Sequence, residues 1–373
     1  MNILHINGNY ILSNLHQLMT RELSQRGINN TVYVPARKHP KINVKPDEGV
    51  IVSECFNYID RYIFYYKQWK IIRDIQKKVD CSKFDCYHAY TVFTDGNVAY
   101  ELSKKYDVPY VVAVRSTDVN LFFKRAVYLR SRGIEILNRA KIVFFLSETY
   151  REFVLENYIP ECNRESIKTK SYVIPNGIDS FWHKNLFLDR DIDEIMRRFM
   201  QSKRLNLIFV GEITKRKNVS TTIKALKLMK DRGWFVSFTV IGEKKDNDEY
   251  NAIMSYDNTH YLGRKPKEEI IKYFRESDIF VMPSVTETFG LTYAEALTQG
   301  LPVIYTKGQG FDGQFEDGVV GYAVDCFSPE EMVERLICIC NDYSRISRNC
   351  LSASKRFDWT SIVDKYLELY RGL

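Results

Sequence analysis

The sequence predicts an α/β protein of two doubly wound, parallel-sheet domains. Three observations carry this. The chain has 373 residues, and at about 100–200 residues per domain that length divides naturally into two. Its halves begin alike: Asn2-Ile-Leu-His-Ile-Asn-Gly8 and Asn206-Leu-Ile-Phe-Val-Gly211 are both apolar runs that end in glycine. Finally, the remaining apolar runs are short and nearly continuous, as parallel strands buried on both faces must be.

In the first half, the glycine turn leads into a helix closed by Arg26-Gly27, followed by a strand from Ile28 to Pro35. In the second half, the corresponding helix closes at Arg232-Gly233 before Phe235-Val-Ser-Phe-Thr-Val-Ile-Gly242. Strand, loop, helix, glycine stop and strand make the start of a βαβ unit. Further strands are expected at Val108–Val114 and Lys141–Leu146, then at Ile279–Met282 and Pro302–Tyr305, with helical periods between them. Ser171-Tyr-Val-Ile-Pro-Asn-Gly-Ile-Asp179 reads as a strand ending in a turn, and the polar stretch to Arg204 has no strand pattern. The expected division is residues 1–178 with 357–373 as one domain and 179–356 as the other, connected near 178–204. In open α/β sheets ligands lie beyond the carboxyl ends of the strands, so the expected site faces a central cleft.

Charge narrows the choice of partner. There are 54 Lys+Arg against 47 Asp+Glu, a net charge of +7. Met1 to Ser180 holds 26 basic and 19 acidic residues, so the whole surplus lies in the first half. An anionic partner or membrane surface on one domain fits this better than nucleic acid, which would spread basic residues along the chain. The eight cysteines contain no C-x-x-C pair, and with six scattered histidines they give no zinc spacing. The N-terminus lacks a basic region and a long apolar core, so no secretory signal is expected. No apolar run approaches the roughly 20 residues that span a bilayer. The expected location is cytoplasmic, with peripheral attachment at the inner face of the membrane.

The stretch Pro283-Ser-Val-Thr-Glu287-Thr-Phe-Gly-Leu-Thr-Tyr-Ala-Glu295-Ala-Leu-Thr-Gln-Gly300-Leu-Pro302 is the most informative. A strand ends, a loop carries Glu287, and Phe289-Gly290-Leu291-Thr292 opens a helix with Glu295 about one turn in. Unpaired N–H groups and the positive dipole end of a helix favour a phosphate. Carboxylates on either side of a diphosphate suit a sugar nucleotide. The same spacing also fits an acidic loop before an ordinary helix.

Pro-Ser-x3-Glu-x-Phe-Gly-x4-Glu-Ala-x3-Gly-x-Pro-Val resembles the signature of the retaining glycosyltransferases of family 4, which have the GT-B fold of two Rossmann-like domains. Ile174-Pro-Asn-Gly-Ile-Asp179 is similar to the family's turn before its linker. Phe209-Val-Gly211 with Lys217-Asn218 is similar to its diphosphate loop, and His260-Tyr-Leu-Gly263-Arg264 to its base-flanking loop. Phe357-Asp-Trp359 and the following helix resemble the segment that crosses back to the N-terminal domain. The resemblance implies that Glu295 binds the ribose hydroxyls, Glu287 the donor sugar, Lys217 the diphosphate, and the backbone of Phe289 to Thr292 the distal phosphate. Where the family commonly has Arg after the strand glycine, this chain has Glu212. The second cation is then Lys215 or Arg216, unless both belong to a solvated turn.

Gly308-Gln-Gly310-Phe-Asp-Gly313 fits G-x-G-x-x-G but opens no apolar-periodic helix, so it is read as a flexible loop facing the donor sugar. In the N-terminal half, Gly8 ends the first strand and permits close approach to a ligand. Asp85-Cys-Tyr-His88-Ala-Tyr90 resembles the family's His-x-His strand end, with Tyr90 replacing the second histidine. Val111-Val-Ala-Val-Arg115-Ser-Thr-Asp118 resembles its His-Gly-x-Asp strand end, with Arg115 replacing the histidine. His88 and Arg115 are therefore the acceptor-side candidates. No cofactor and no metal are expected, since the Asp191-Ile-Asp193 and Asp246-Asn-Asp248 runs lie in polar connections.

The resulting expectation is a retaining, metal-independent glycosyltransferase acting on a UDP-sugar and a glycan or lipid-linked acceptor in surface polysaccharide synthesis. A nucleotide-sugar epimerase, a phosphorylase and a catalytically silent nucleotide-sugar-binding subunit are the alternatives. Two segments, Tyr58 to Arg73 and Asn120 to Arg132, interleave aromatic and basic residues. Such a mixture suits a bilayer interface, or else places its aromatics in the core with solvated charges opposite.

Overall fold

The computed structural model describes residues 1–373. It divides into two units: Met1–Gly177 with Trp359–Leu373, and Ile178–Asp358.

The first unit holds seven parallel strands: β1 (Asn2–Ile6), β2 (Asn29–Arg37), β3 (Val50–Phe56), β4 (Cys86–Ala89), β5 (Tyr110–Ala113), β6 (Ile142–Phe145) and β7 (Ser171–Val173). Their order is β3-β2-β1-β4-β5-β6-β7. The strand order therefore reverses between β1 and β4, the switch point beyond which such sheets hold ligands. Central strands are short apolar runs because helices cover both faces: every residue of β4, β5 and β6 is buried. β3 was not among the expected strands. It is an edge strand paired only with β2, and its Ser53-Glu54-Cys55 interrupts the apolar run.

The second unit repeats the plan with six parallel strands: β8 (Arg204–Val210), β9 (Phe235–Ile241), β10 (Thr259–Tyr261), β11 (Ile279–Val281), β12 (Val303–Thr306) and β13 (Gly321–Val324). Their order is β10-β9-β8-β11-β12-β13. The two Rossmann-like sheets match the predicted fold class, and each places its loops at the carboxyl ends of β1/β4 and β8/β11.

The stretch 178–204, expected as a connection, is instead folded into the second unit. It forms helices Ser180–Lys184 and Ile192–Ser202, and buries Trp182 and Phe199. Buried Arg190 satisfies its guanidinium by donating to the carbonyls of Phe274, Ser277 and Gln299. The segment lacks a strand pattern because it is helical and is tied down through polar contacts. At the other end, the helix Trp359–Arg371 buries Ile362, Val363, Tyr366 and Tyr370 in the first unit. No helix is long and apolar enough to cross a membrane.

Candidate active site

In the second unit, two loops at adjacent strand ends converge. After β8 the chain runs through Gly211 and Glu212 to Lys215-Arg216-Lys217. Asn218 then takes a left-handed conformation (φ 53°) as it enters the helix Val219–Asp231. After β11 the chain reaches Glu287. The backbone N–H of Val285 donates to the Arg216 carbonyl at 2.8 Å, fixing one loop on the other.

Two cations meet at Glu287. Lys217 Nζ donates to its Oε2 at 2.5 Å and lies 3.1 Å from Met282 Sδ, while Arg216 Nη1 lies 3.4 Å from the same oxygen and donates to the Thr286 carbonyl at 2.9 Å. Burial by itself would raise the Glu287 carboxyl, but Lys217 and Arg216 outweigh it and hold the group below the usual glutamate range. Burial lowers the Lys217 ammonium, with Glu287 opposing the shift. Lys215, the other candidate for second cation, turns away to an exposed pair with Asp248 at 3.0 Å.

The loop following β12 braces this cluster. The Glu287 N–H donates to Gln309 Oε1 at 2.9 Å, and the Gly310 N–H donates to the Glu287 carbonyl at 3.1 Å. A Cβ on Gly310 would lie 1.8 Å from the Thr288 carbonyl oxygen, so only glycine allows this approach. The G-x-G-x-x-G stretch, expected to be flexible, is pinned to the Glu287 loop. The sequence offers no signal for Gln309 beyond its place between two glycines.

Gly290 (φ 77°) caps the helix Leu291–Leu297, and a Cβ there would meet the Tyr293 ring at 2.4 Å. Phe289 is a core side chain packed on Phe357, so only its backbone faces a ligand. Leu291 and Thr292 supply the first helical N–H groups. Glu295 is partly exposed, yet surrounded closely enough that burial raises its pKa to about 7. The Trp182 indole and Lys267 act against that shift, whereas Asp179 adds to it. Lys267 and Asp179 form their own 2.5 Å pair. These three neighbours of Glu295 were not anticipated, because sequence separations of up to 116 residues hide them. Gly263 (φ 67°) sits in open space after β10, with exposed Arg264 beside it. Asp191 and Asp246, from the two Asp-x-Asp runs, cap helices by accepting backbone N–H groups.

The acceptor-side candidates lie in the first unit at the ends of β1, β4 and β5. His88 is buried: its Nδ1 is 2.6 Å from the Tyr370 hydroxyl and its ring stacks on Tyr90. Burial drives its pKa well down, with His5 and Arg115 adding to the effect. Its Nε2 has no partner, nor does either ring nitrogen of buried His16. Arg115 is partly buried and donates to Asn176 Oδ1 at 3.4 Å. The Gly8 N–H donates to Asp95 Oδ1 at 3.3 Å, and burial raises the Asp95 pKa to about 7. Buried Asp118 accepts the N–H groups of Val92, Phe93 and Arg115, clamping the turn after β4 to the turn after β5. The structure thus gathers Lys217, Arg216, Glu287 and the Phe289–Glu295 turn in one unit, and Gly8, His88 and Arg115 in the other.

Comparison with known proteins agrees with this division. Residues 191–356 match the model for glycosyl transferases group 1, and residues 17–180 match that for glycosyltransferase family 4. The alpha-monoglucosyldiacylglycerol synthase of Acholeplasma laidlawii is 24% identical over 302 residues, covering 74% of this chain and 70% of that one. Sucrose-phosphate synthase from Thermosynechococcus elongatus superposes with a TM-score of 0.75 at 16% identity, over 100% of this chain and 98% of that one. Anabaena HepE in complex with UDP-glucose gives 0.66 at 16% identity over 100% of both chains. At those identities the two structures show a common fold. With its first half matching one model and its second half the other, the chain belongs to the group 1, family 4-like glycosyltransferases of GT-B fold.

Proposed function

We infer that the enzyme moves a sugar, with retention of anomeric configuration and without a metal, from a UDP-sugar to a hydroxyl of a glycan or lipid-linked acceptor. The convergence of Lys217 and Arg216 on Glu287 carries this reading. A nucleoside diphosphate leaving group develops negative charge as the C1–O bond breaks, and two fixed cations beside short-loop N–H groups offset it. Glu287 holds those cations in place and offers its carboxylate to the sugar hydroxyls. Glu295 accepts from the ribose hydroxyls, and Gly263 with Arg264 flanks the base. The acceptor oxygen bonds to C1 on the face that the diphosphate leaves, and the departing phosphate oxygen takes the hydroxyl proton.

Two comparisons support the choice of substrates: HepE is described with UDP-glucose, and the Acholeplasma relative is named for making a glucosylated diacylglycerol. On this reading His88 and Arg115 serve the acceptor side, Gly8 contributes to donor binding, and the enzyme works in surface glycoconjugate synthesis from the cytoplasmic face of the membrane. Incubation with a panel of nucleotide sugars, with and without lipid-linked acceptors, tests it. Acceptor-dependent release of UDP and an axial-to-axial outcome by NMR are expected. Inversion at C1, or release indifferent to every acceptor, overturns it.

A further inference from the structure

We propose that residues 58–73, together with the neighbouring turn at 121–128, form a docking surface for an anionic lipid bilayer. This deepens the lipid-linked-acceptor reading and rests on it only for the purpose of the contact.

An ordinary surface helix hides its aromatic residues and exposes its polar ones. The helix Phe64–Lys78 does this incompletely. Its inward face is Phe64, Gln68, Ile71 and Ile75, whereas Tyr65, Tyr66 and Trp69 face outward. Within the helix the outward stripe runs Tyr66, Trp69, Arg73, the i, i+3, i+7 spacing of one face, and the short turn Ile59–Tyr62 before it adds exposed Tyr62. Tyr62 is 74% exposed and Trp69 49%. The turn at Asp118–Phe123 abuts the start of the helix, with Phe122 and Phe64 rings 6.0 Å apart, and adds exposed Leu121, Val127 and Tyr128. No other part of the molecule exposes so dense a set of large apolar side chains.

The charge pattern identifies the occupant. Cations lie against the exposed rings: Arg61 over Tyr58 at 5.4 Å, Lys70 over Tyr66 at 4.5 Å and Arg73 over Trp69 at 4.8 Å. Lys124 and Arg125 are exposed on the second segment. The carboxylates of the first segment are used inward: Asp60 is buried, pairing with Lys70 and accepting the Asn57 N–H, while Asp74 accepts from Tyr33 and Ser53. The outward face therefore presents rings and positive charge without a compensating acid. Rings at headgroup depth with cations interleaved among them match an anionic bilayer, whereas the core of a protein interface is depleted in charged residues.

The face also borders a groove of about 550 Å³, lined by Tyr65, Trp69, Lys104 and Lys105, with Glu101 there neutralised by its ion pair to Arg132. Gln68 at its floor is 2% exposed and accepts from Asn97, but its Nε2 donor has no partner. A buried unpaired donor below two lysines is suited to a phosphate headgroup oxygen.

Flotation of the full-length protein with phosphatidylcholine vesicles, with and without phosphatidylglycerol, tests the proposal without any donor substrate. Binding is expected only with the anionic lipid, reversed by high salt. Brominated lipid is expected to quench a fluorescence component absent from Trp69→Phe. Arg61→Ser combined with Arg73→Ser is expected to weaken partitioning by about 30-fold, taking the usual contribution of a cation near an anionic surface. Unchanged UDP affinity and melting temperature in that variant show that the fold is intact. Binding indifferent to lipid charge, Trp69 unquenched, or self-association that covers Trp69 without vesicles overturns the proposal. Failure of the transfer reaction with every donor leaves the flotation result standing, so the two readings fail separately.

Discussion

Lys217 and Glu287, 70 positions apart, close a 2.5 Å ion pair whose side chains are each 11% exposed. Removing either partner leaves a buried charge, so Glu287→Ala is expected to cost about 3 kcal/mol of stability in denaturant unfolding. Lys217→Met with Glu287→Gln removes both charges and recovers most of that loss. Turnover does not recover: the leaving-group cation is gone, and kcat falls by about 10²–10³ in Lys217→Met and in the double variant alike. A double variant that regains activity along with stability contradicts the assigned role.

Side-chain direction favours Arg216 over Lys215 as the proposed second cation. Arg216 points to Glu287, whereas Lys215 pairs with Asp248 in solvent. Arg216→Ala is expected to weaken UDP binding by about 1.5–3 kcal/mol, the usual range for a charge-assisted hydrogen bond. Lys215→Ala, which breaks only an exposed pair, changes it by less than about 0.5 kcal/mol. Calorimetric titration of UDP into the three proteins separates the assignments, and equal losses in both variants rule out this choice.

The brace between the loops after β11 and β12 gives a third test. Gly310→Ala forces a methyl against the Thr288 carbonyl and so parts Glu287 from Gln309. Gln309→Ala removes only the acceptor for the Glu287 N–H. Both lower kcat, and Gly310→Ala is also expected to destabilise the protein, by about 1–3 kcal/mol as overpacking generally does. Thermal unfolding beside steady-state kinetics distinguishes the two. An active, fully stable Gly310→Ala shows that the approach is not needed.

These features differ in how far they could be read from the sequence. The strands of both central sheets are runs of successive residues, and burial on both faces makes each run apolar. Glu287, Gly290 and Glu295 fall within nine positions, so their common site is legible from spacing. Lys217 was identified through its resemblance to a loop motif, and the choice between Lys215 and Arg216 depended on side-chain direction, which spacing does not carry. Gln309, Trp182 and Lys267 reach the site only through tertiary packing. Asp118 is marked by its resemblance to a His-Gly-x-Asp strand end, but its clamp on three N–H groups from two different turns is not legible in a linear pattern. The stretch 178–204 reads as a connection because its apolar residues follow no strand alternation and one of its buried anchors, Arg190, is a charged residue that a linear pattern places in solvent.

As the proposed ribose ligand, Glu295 is expected to set a pH dependence on donor binding. Its pKa rises from the ordinary 4.5 to about 7 because burial penalises the carboxylate more than Trp182 and Lys267 favour it. Below that pH the free protein carries a neutral carboxylic acid, which accepts hydrogen bonds from ribose hydroxyls less well than the ion does. Nucleotide affinity is therefore expected to rise as pH increases through about 7 and to level off above it. UDP itself titrates nearby, so the difference between wild type and Glu295→Gln isolates the protein's share. In the glutamine variant that share vanishes, so the difference from wild type is small in acid and grows as pH rises through about 7, the variant binding more weakly at alkaline pH. The converse for stability follows from the same shift: the unfolded chain releases this proton at lower pH than the native one, so Glu295 favours the unliganded fold in acid and loses that contribution between pH 4.5 and about 7. UDP titrations across this window, run on both proteins, check the sign. An affinity difference that grows toward acid pH refutes a ribose-binding carboxylate at position 295.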